Sequence, residues 1–308
     1  MIFDLIIVGA DSAGLTAGIY AGRKKMNAVI LSKQIGGQSL YAARIENYPG
    51  VQSISGTNLV SAIKKQVERH GIAIKDDTEI ISVAKEGDVF SLKDSRGNIY
   101  GAKALIVASG SSPKLLGIKG EKEFMGKGVS VCATCDAPFY DKKTVAIIGG
   151  GNSAFDSAYD LLQYAQKIYL LQHRDKFIGD ELVYEFLKKS GKVEFLTCAE
   201  AQEIKGDQFV ESLIYKDLKT EEDKELKVNG VFVNIGQVPN TNFMEGLLEL
   251  NKYKEIITDA RNGSTSQPGI FAAGDVTDGR YKQVILAAAA GAKALLSAAE
   301  YLRTSVSI

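Results

Sequence analysis

The chain is poor in the side chains that build most metal and disulfide centres, with three cysteines and two histidines in 308 residues. Three cysteines cannot form the disulfide framework of a small secreted protein, and a lone reducible pair suits a compartment whose thiols are kept reduced. A zinc centre takes four ligands. Beyond Cys132 and Cys135 the chain offers only Cys198, His70 and His173, in unrelated contexts, so no metal is expected. Cys198 is expected to be a small buried hydrophobe. An excess of one charge is also missing: Lys plus Arg and Asp plus Glu number 37 each, without a long run of either sign. Neither nucleic acid nor an anionic lipid surface is therefore an expected partner. No stretch of about eighteen apolar residues occurs, so no membrane span is expected. The opening run Met1 to Ala10 is broken by Asp4 and has no basic leader or cleavage site. A soluble, cytoplasmic chain is the expectation.

What is present is organised in two similar halves. The length exceeds a typical single core, which predicts two domains. Asp4 to Val8 reads as a buried parallel strand, Ala13 to Arg23 as a helix whose small residues permit close packing on a sheet, and Ala28 to Leu31 as the next strand. The same order returns at Lys143 to Ile148, Asn152 to Tyr164 and Lys167 to Leu171. One βαβ unit is used twice. Thr78 to Val83, Val89 to Leu92 and Ile99 to Tyr100 carry strand signals around turn residues, which predicts a small antiparallel layer over one sheet. Ala201 to Leu218 and Glu225 to Val233 repeat that strand-rich pattern in the second half. Gly269 to Asp275 reads as a strand and turn, and Gln283 to Arg303 as an alanine-rich helix, completing the first sheet. The expected architecture is α/β, with two Rossmann-like dinucleotide-binding domains, the second inserted into the first, each with a small antiparallel β layer. The expected boundaries are 1–113 with 240–308 for the outer domain and 114–239 for the inserted one.

Each unit carries a glycine turn. Gly149, Gly151 and Ala154, with Asn152 and Ser153 between them, stand after a strand and open a helix, where the dinucleotide fingerprint should be. The first glycine permits the tight turn, the second lets a pyrophosphate approach the backbone, and the small third residue packs helix on sheet. Phosphate then meets the helix N-terminus. A glycine turn that holds no ligand is the plainer alternative. After the following strand come Gln172, His173, Arg174, Asp175 and Lys176. The strand end has no acid for a ribose, whereas Arg174, Lys176 and His173 suit a 2′-phosphate, so NADPH is expected and NADH remains the alternative. In the first turn, Gly9 to Gly14, Asp11 stands where the middle glycine belongs, and Lys33 stands where a ribose-binding acid is usual. A compensating Asp11–Lys33 pair is conceivable. Between the turns, Cys132-Ala133-Thr134-Cys135 can close a small disulfide and pass two electrons as a unit.

Taken together, Gly36-Gly37-Gln38, Glu46 to Gly50, Ala108-Ser109-Gly110, Cys132 to Asp136, Gly149 to Ala154, Gly236 to Thr241 and Ala273 to Val276 resemble the low-molecular-weight thioredoxin reductases. The resemblance runs nearly end to end. It implies a flavoprotein with FAD in the outer domain, Asp275 at the ribityl chain and Asn47 and Gln283 near the flavin. It also implies a nicotinamide dinucleotide in the inserted domain. Gly9, Gly14, Gly37, Gln38 and Gly110 would belong to the flavin site and Gly236 to the coenzyme site. The resemblance makes Cys132–Cys135 a redox-active disulfide. Cys135 would face the flavin, Cys132 would attack the partner disulfide, and Asp136 would handle the proton. The C-terminal part, from Phe243 through Gln283 to Leu302, is also similar to the flavoprotein reductase of the alkyl hydroperoxide reductase system. That sister enzyme uses NADH and has an additional N-terminal dithiol domain, which here would be a separate protein. Departures from the pattern are Asp11, Lys33, Ile178 in place of an arginine, and Ala287 to Ala290 where an acid is common.

The resemblance thus implies an enzyme that reduces a small protein disulfide, that of thioredoxin or of a similar dithiol protein, by two-electron steps. A rotation about the crossings near Ser111 to Pro113 and Gly236 to Asn240 would let the dithiol serve both flavin and partner. A symmetric homodimer is what the family suggests. The competing readings are an NADH-dependent reductase of a peroxiredoxin-linked carrier, a ferredoxin-fed enzyme, and a non-catalytic redox or nucleotide sensor whose first turn holds FAD poorly.

Overall fold

A computed structural model describes residues 2–42 and 45–305. Along the chain, β1 (Ile2–Ala10), α1 (Ser12–Arg23) and β2 (Ala28–Ile35) form the first βαβ unit, followed by α2 (Gly56–Arg69) and β3 (Ala73–Lys75). Next come β4 (Ile80–Glu86), β5 (Val89–Asp94), β6 (Ile99–Val107) and β7 (Ser111–Pro113). The second half runs β8 (Val129–Ser130), α3 (Ala133–Asp136), β9 (Thr144–Ile148), α4 (Asn152–Leu162), β10 (Lys167–Gln172), α5 (Glu181–Lys189) and β11 (Val193–Thr197). It continues through β12 (Ala199–Gly206), β13 (Val210–Asp217), β14 (Glu222–Lys227), β15 (Gly230–Val233) and β16 (Gln237–Pro239). The chain closes with β17 (Ile270–Ala272) and α6 (Val284–Ser305).

Two compact units result. One comprises Met1–Leu40, Tyr48–Ser112 and Val238–Ile308, the other Tyr41–Asn47 and Pro113–Gln237. The two connecting segments, β7 and β16, are paired as a two-stranded ribbon.

In the first unit, β3-β2-β1-β6 are parallel. The free edge of β6 is then divided between two neighbours. Residues 99–102 pair antiparallel with β5, whereas 105–107 pair parallel with β17. The expected antiparallel layer is thus a continuation of the main sheet, because β6 is long enough to carry both partners. Leu5, Ile6 and Ile7 are fully buried, as an apolar run covered on both faces must be. Small residues bring α1 onto this sheet: a Cβ on Gly18 would lie 2.6 Å from Ile30 Cδ1. On α2 the buried Leu59, Val60, Ile63 and Val67 form one stripe, and Ser55 Oγ accepts from Asn58 N–H to cap the helix. Helix α6 is long and apolar enough to cross a bilayer by composition. It nevertheless lies against α1, where a Cβ on Gly291 would meet the Ala13 carbonyl oxygen at 2.0 Å, and Ala294, Leu295 and Ala298 are fully buried.

In the second unit five parallel strands are ordered β11-β10-β9-β15-β8, with the antiparallel sheet β12-β13-β14 packed on one face through Ile148, Leu171, Val231, Ile204 and Leu213. The stretch Glu225 to Val233 does not act as one meander. Its first residues belong to β14, while Gly230–Val233 is buried throughout and sits in the parallel sheet between β9 and β8. The other face is covered by α4 and α5 around Phe155, Leu161 and Leu187. Each fully buried Leu, Ile or Phe contributes about 1.5–3 kcal/mol. These cores, rather than the solvent-exposed ion pairs, hold each unit together.

Candidate active site

The second glycine turn buries Gly149 and Gly150 and leaves Asn152 and Ser153 exposed at the start of α4. Gly149 has φ +152°, and a Cβ there would come within 2.4 Å of the Asn234 carbonyl oxygen and 3.1 Å of Ala154 Cβ. Only a glycine followed by a small residue fits this junction. A Cβ on Gly150 would strike the side chain of Gln172, which is buried at the end of β10 where a ribose-binding acid would otherwise stand. Gly151 has nothing within 4 Å of the position a Cβ would take, and as N-cap of α4 it supplies no side-chain hydrogen bond. Asn234 Oδ1, at the end of β15, is buried without a hydrogen-bond partner. An uncapped helix N-terminus, open backbone at Gly151 and an orphaned acceptor beside the turn fit a pyridine dinucleotide. Asn152 Oδ1 accepts from Asp180 N–H at 2.7 Å, tying α4 to the start of α5. Ser153, His173 and Arg174 are exposed, and Ile178 donates its N–H to Gly150 O at 2.8 Å. Gly236 has φ +108° and accepts from Lys114 N–H at 3.0 Å.

In the same unit Cys132 and Cys135 are joined by a disulfide, with their Cα atoms 5.4 Å apart. Cys132 is the N-cap of the short helix α3. Its N–H donates to Ser130 Oγ at 3.1 Å. Between the cysteines, Thr134 Oγ1 donates to Asp160 Oδ2 at 2.6 Å and so fastens α3 to α4. Burial pushes the Asp136 carboxyl above the usual carboxylate range, and a hydrogen bond with Ser130 opposes the shift. The Tyr140 hydroxyl is pushed up by burial and by the Asp136 charge. Ser130, Asp160 and Asn234 escape sequence reasoning, because no motif spacing marks them; only their position in the fold does. Cys198 departs from its expected role. It is half-buried at φ +53°, where the chain turns from β11 to β12, and its N–H donates to Arg174 O. Among the described residues, no group of three or more metal-ligating side chains comes together.

The first glycine turn is built differently. A Cβ on Gly9 would lie 2.2 Å from Ala108 O, and one on Gly14 would lie 1.9 Å from Gly9 O. These glycines let β6, β1 and α1 meet. Asp11 caps α1: Oδ1 accepts from Ser12 N–H at 2.7 Å and from the Ser39 hydroxyl at 2.7 Å, and Oδ2 accepts from Ser39 N–H at 3.2 Å. A Cβ on Gly37, at φ +45°, would touch Asp11 Oδ2 at 3.1 Å. The Asp11 carboxyl is raised by burial, against hydrogen bonds from Ser39 and Ser12. Lys33 does not pair with it. Lys33 Nζ reaches Glu79 at 2.8 Å across an exposed edge, because β2 and the segment before β4 lie side by side there. Asp275, after β17, is also raised by burial; Lys282 opposes the shift and Asp11 adds to it. Gly9, Gly14, Gly37 and Asp275 thus surround one place at the ends of β1 and β17. Gln38 Nε2 donates to Ser111 O at 2.8 Å, Gly110 O accepts from Asn240 N–H, and Gln283 O accepts from Ala287 N–H. Asn47 is exposed and groups with the other unit. Glycines that close the turn, and a half-buried carboxylate able to meet ribityl hydroxyls, fit a flavin dinucleotide. The capped α1 N-terminus is the element that differs from an open phosphate site.

The family model for pyridine nucleotide-disulphide oxidoreductases matches residues 3–291. Thioredoxin reductase of Helicobacter pylori is 41% identical, with 97% of this chain and 98% of that protein covered. An alkyl hydroperoxide reductase component from Pseudomonas aeruginosa is 40% identical over 98% of this chain, which spans 59% of that longer protein. Among solved structures, thioredoxin reductase from Streptococcus pyogenes superposes with a TM-score of 0.93 at 31% identity, covering 98% of this chain and 99% of that one.

Proposed function

Because the chain belongs to the pyridine nucleotide-disulphide oxidoreductase family, whose members depend on a flavin and a pyridine nucleotide, we propose that it is an FAD-dependent, NADPH-driven reductase of a small protein disulfide of the thioredoxin type. The outer domain, 1–113 and 240–308, would hold FAD, and 114–239 would hold the coenzyme. The observation that carries this reading is the Cys132–Cys135 disulfide in the same unit as a dinucleotide turn with an open helix N-terminus. When bound, the two cofactors supply hydride chemistry.

The protein's own residues do the rest. Two electrons open the Cys132–Cys135 bond and give two thiols, with protons taken up. Cys132 as thiolate attacks one sulfur of the partner disulfide and releases the other as a thiol; Cys135 then attacks Cys132 Sγ, restoring the internal disulfide and freeing the reduced partner. Asp136, which burial keeps protonated to higher pH than a free carboxyl, would supply and recover the proton. Gly149, Gly151, Asn152, Ser153 and Ala154 would cradle the coenzyme diphosphate, and Asn234 Oδ1 would accept a hydrogen bond from its amide or ribose. His173 and Arg174, exposed beyond β10, favour a 2′-phosphate. Gly9, Gly14, Gly37, Gln38, Asn47, Gly110, Asp275 and Gln283 would line the flavin site.

A second reading, an NADH-dependent reductase serving a separate dithiol carrier, is favoured by the 40% identity to the alkyl hydroperoxide reductase component and by Ile178 in place of a cation. An anaerobic titration separates the two. NADPH is expected to bleach the flavin at lower concentration than NADH, and oxidised thioredoxin to restore the colour. Bleaching by NADH alone, with no reoxidation by thioredoxin, would replace the first reading by the second.

A further inference from the structure

The two glycine turns share a backbone plan but differ at the helix N-terminus. On α4 the cap is Gly151, without a side chain and facing open space. On α1 the cap is Asp11, whose carboxylate already accepts from Ser12 N–H, the Ser12 hydroxyl, Ser39 N–H and the Ser39 hydroxyl. These bonds join the β1–α1 turn to the Gly37–Tyr41 turn, the two segments that would enclose a diphosphate. An anion is thus built into the protein at the place where a dinucleotide brings another. Both serines are buried, so water cannot readily screen the pair. The charged groups facing Asp11 do not relieve the conflict. Asp275 from the β17 turn is a further carboxylate, its nearby cation Lys282 is also paired with Glu255 at 3.0 Å, and Lys33 is paired with Glu79.

We infer that flavin loading of this protein is proton-linked through Asp11: FAD binds with uptake of one proton by this carboxyl, and its affinity therefore falls as the pH rises. This rests on the flavin reading given above. Protonation leaves one Asp11 oxygen to accept from Ser12 N–H and turns the other into an O–H donor for a diphosphate oxygen. Burial already holds the free carboxyl above its ordinary range, against the hydrogen bonds from Ser39 and Ser12, so protonation costs less here than at an exposed aspartate. The diphosphate would raise it further, since a like charge disfavours ionisation. Between the titration midpoints of the free and loaded forms, uptake of one proton weakens FAD by about tenfold per pH unit.

The test is FAD binding to the flavin-stripped protein, followed by quenching of flavin fluorescence from roughly pH 5 to pH 9, in the wild type, Asp11→Asn and Asp11→Gly, with thermal melts to verify folding. The wild type is expected to lose affinity steadily with pH. Both variants are expected to bind with little pH dependence and, at the alkaline end, at least tenfold more tightly than the wild type. Flat binding in the wild type, or the same slope in folded Asp11→Asn, overturns the proton link and leaves the flavin reading standing. Failure of the wild type and both folded variants to bind FAD at any pH overturns the flavin reading and the inference together.

Discussion

Three half-buried carboxyls, Asp11, Asp136 and Asp275, are pushed upward by loss of water, and this shapes how the protein responds to pH. A carboxyl with a raised folded-state pKa binds more protons folded than unfolded, so its effect on stability turns unfavourable as the pH rises through that value. Asp136→Asn removes the ionisable group. The variant is therefore expected to gain melting temperature relative to the wild type at neutral and alkaline pH, but not at acidic pH where the wild-type carboxyl is protonated. Its thiol exchange should slow by about 10²-fold while flavin reduction by the coenzyme is retained, as for loss of a general acid. Equal slowing of both half-reactions in stopped flow would make Asp136 a structural residue instead. Asp136 was legible in the sequence through the motif it ends. Its partner Ser130 was not, because a serine two residues before a cysteine carries no signal until the backbone turns it inward.

At the scale of elements, close approach is governed by residues without side chains. Gly291 lies within α6, where a glycine-to-alanine change ordinarily gains about 1 kcal/mol. Here the added Cβ would stand 2.0 Å from the Ala13 carbonyl oxygen on α1, and displacing packed backbone costs about 1–3 kcal/mol. The second effect wins, so Gly291→Ala is expected to lower the denaturation midpoint; a rise would show that α6 shifts freely on α1. The helices flanking the glycine turns were legible because small residues at helical spacing follow each turn. β15 was not, since a short buried run next to charged β14 reads as the end of a meander, and only its place between β9 and β8 assigns it to the parallel sheet. Helices α2 and α5 carry no clear signal in the sequence. Their apolar stripes are interrupted by charged residues, and their caps, Ser55 and Asp180, become visible as caps only in the fold.

For the whole molecule, the reading divides electron flow into a coenzyme-to-flavin half and a dithiol-to-partner half, and Cys132 belongs to the second. Cys132→Ser is expected to leave NADPH bleaching of the flavin intact and to abolish steady reduction of thioredoxin; persistent full turnover would exclude Cys132 as the attacking thiol. The order of parts on which this rests was determined by the sequence alone. Two strand–glycine–helix turns and a dithiol before the second one are local patterns, written in neighbouring residues and bound to fold locally. Tertiary structure decided what those patterns cannot carry. It gave the Asp11 carboxylate to Ser12 and Ser39 rather than Lys33, sent Lys33 to Glu79, and placed Cys198 at a left-handed turn instead of in a core. Apart from the bond between the neighbours Asp11 and Ser12, these depend on segments distant in the chain being brought side by side, and the free energy of burying or pairing a side chain is set by those neighbours.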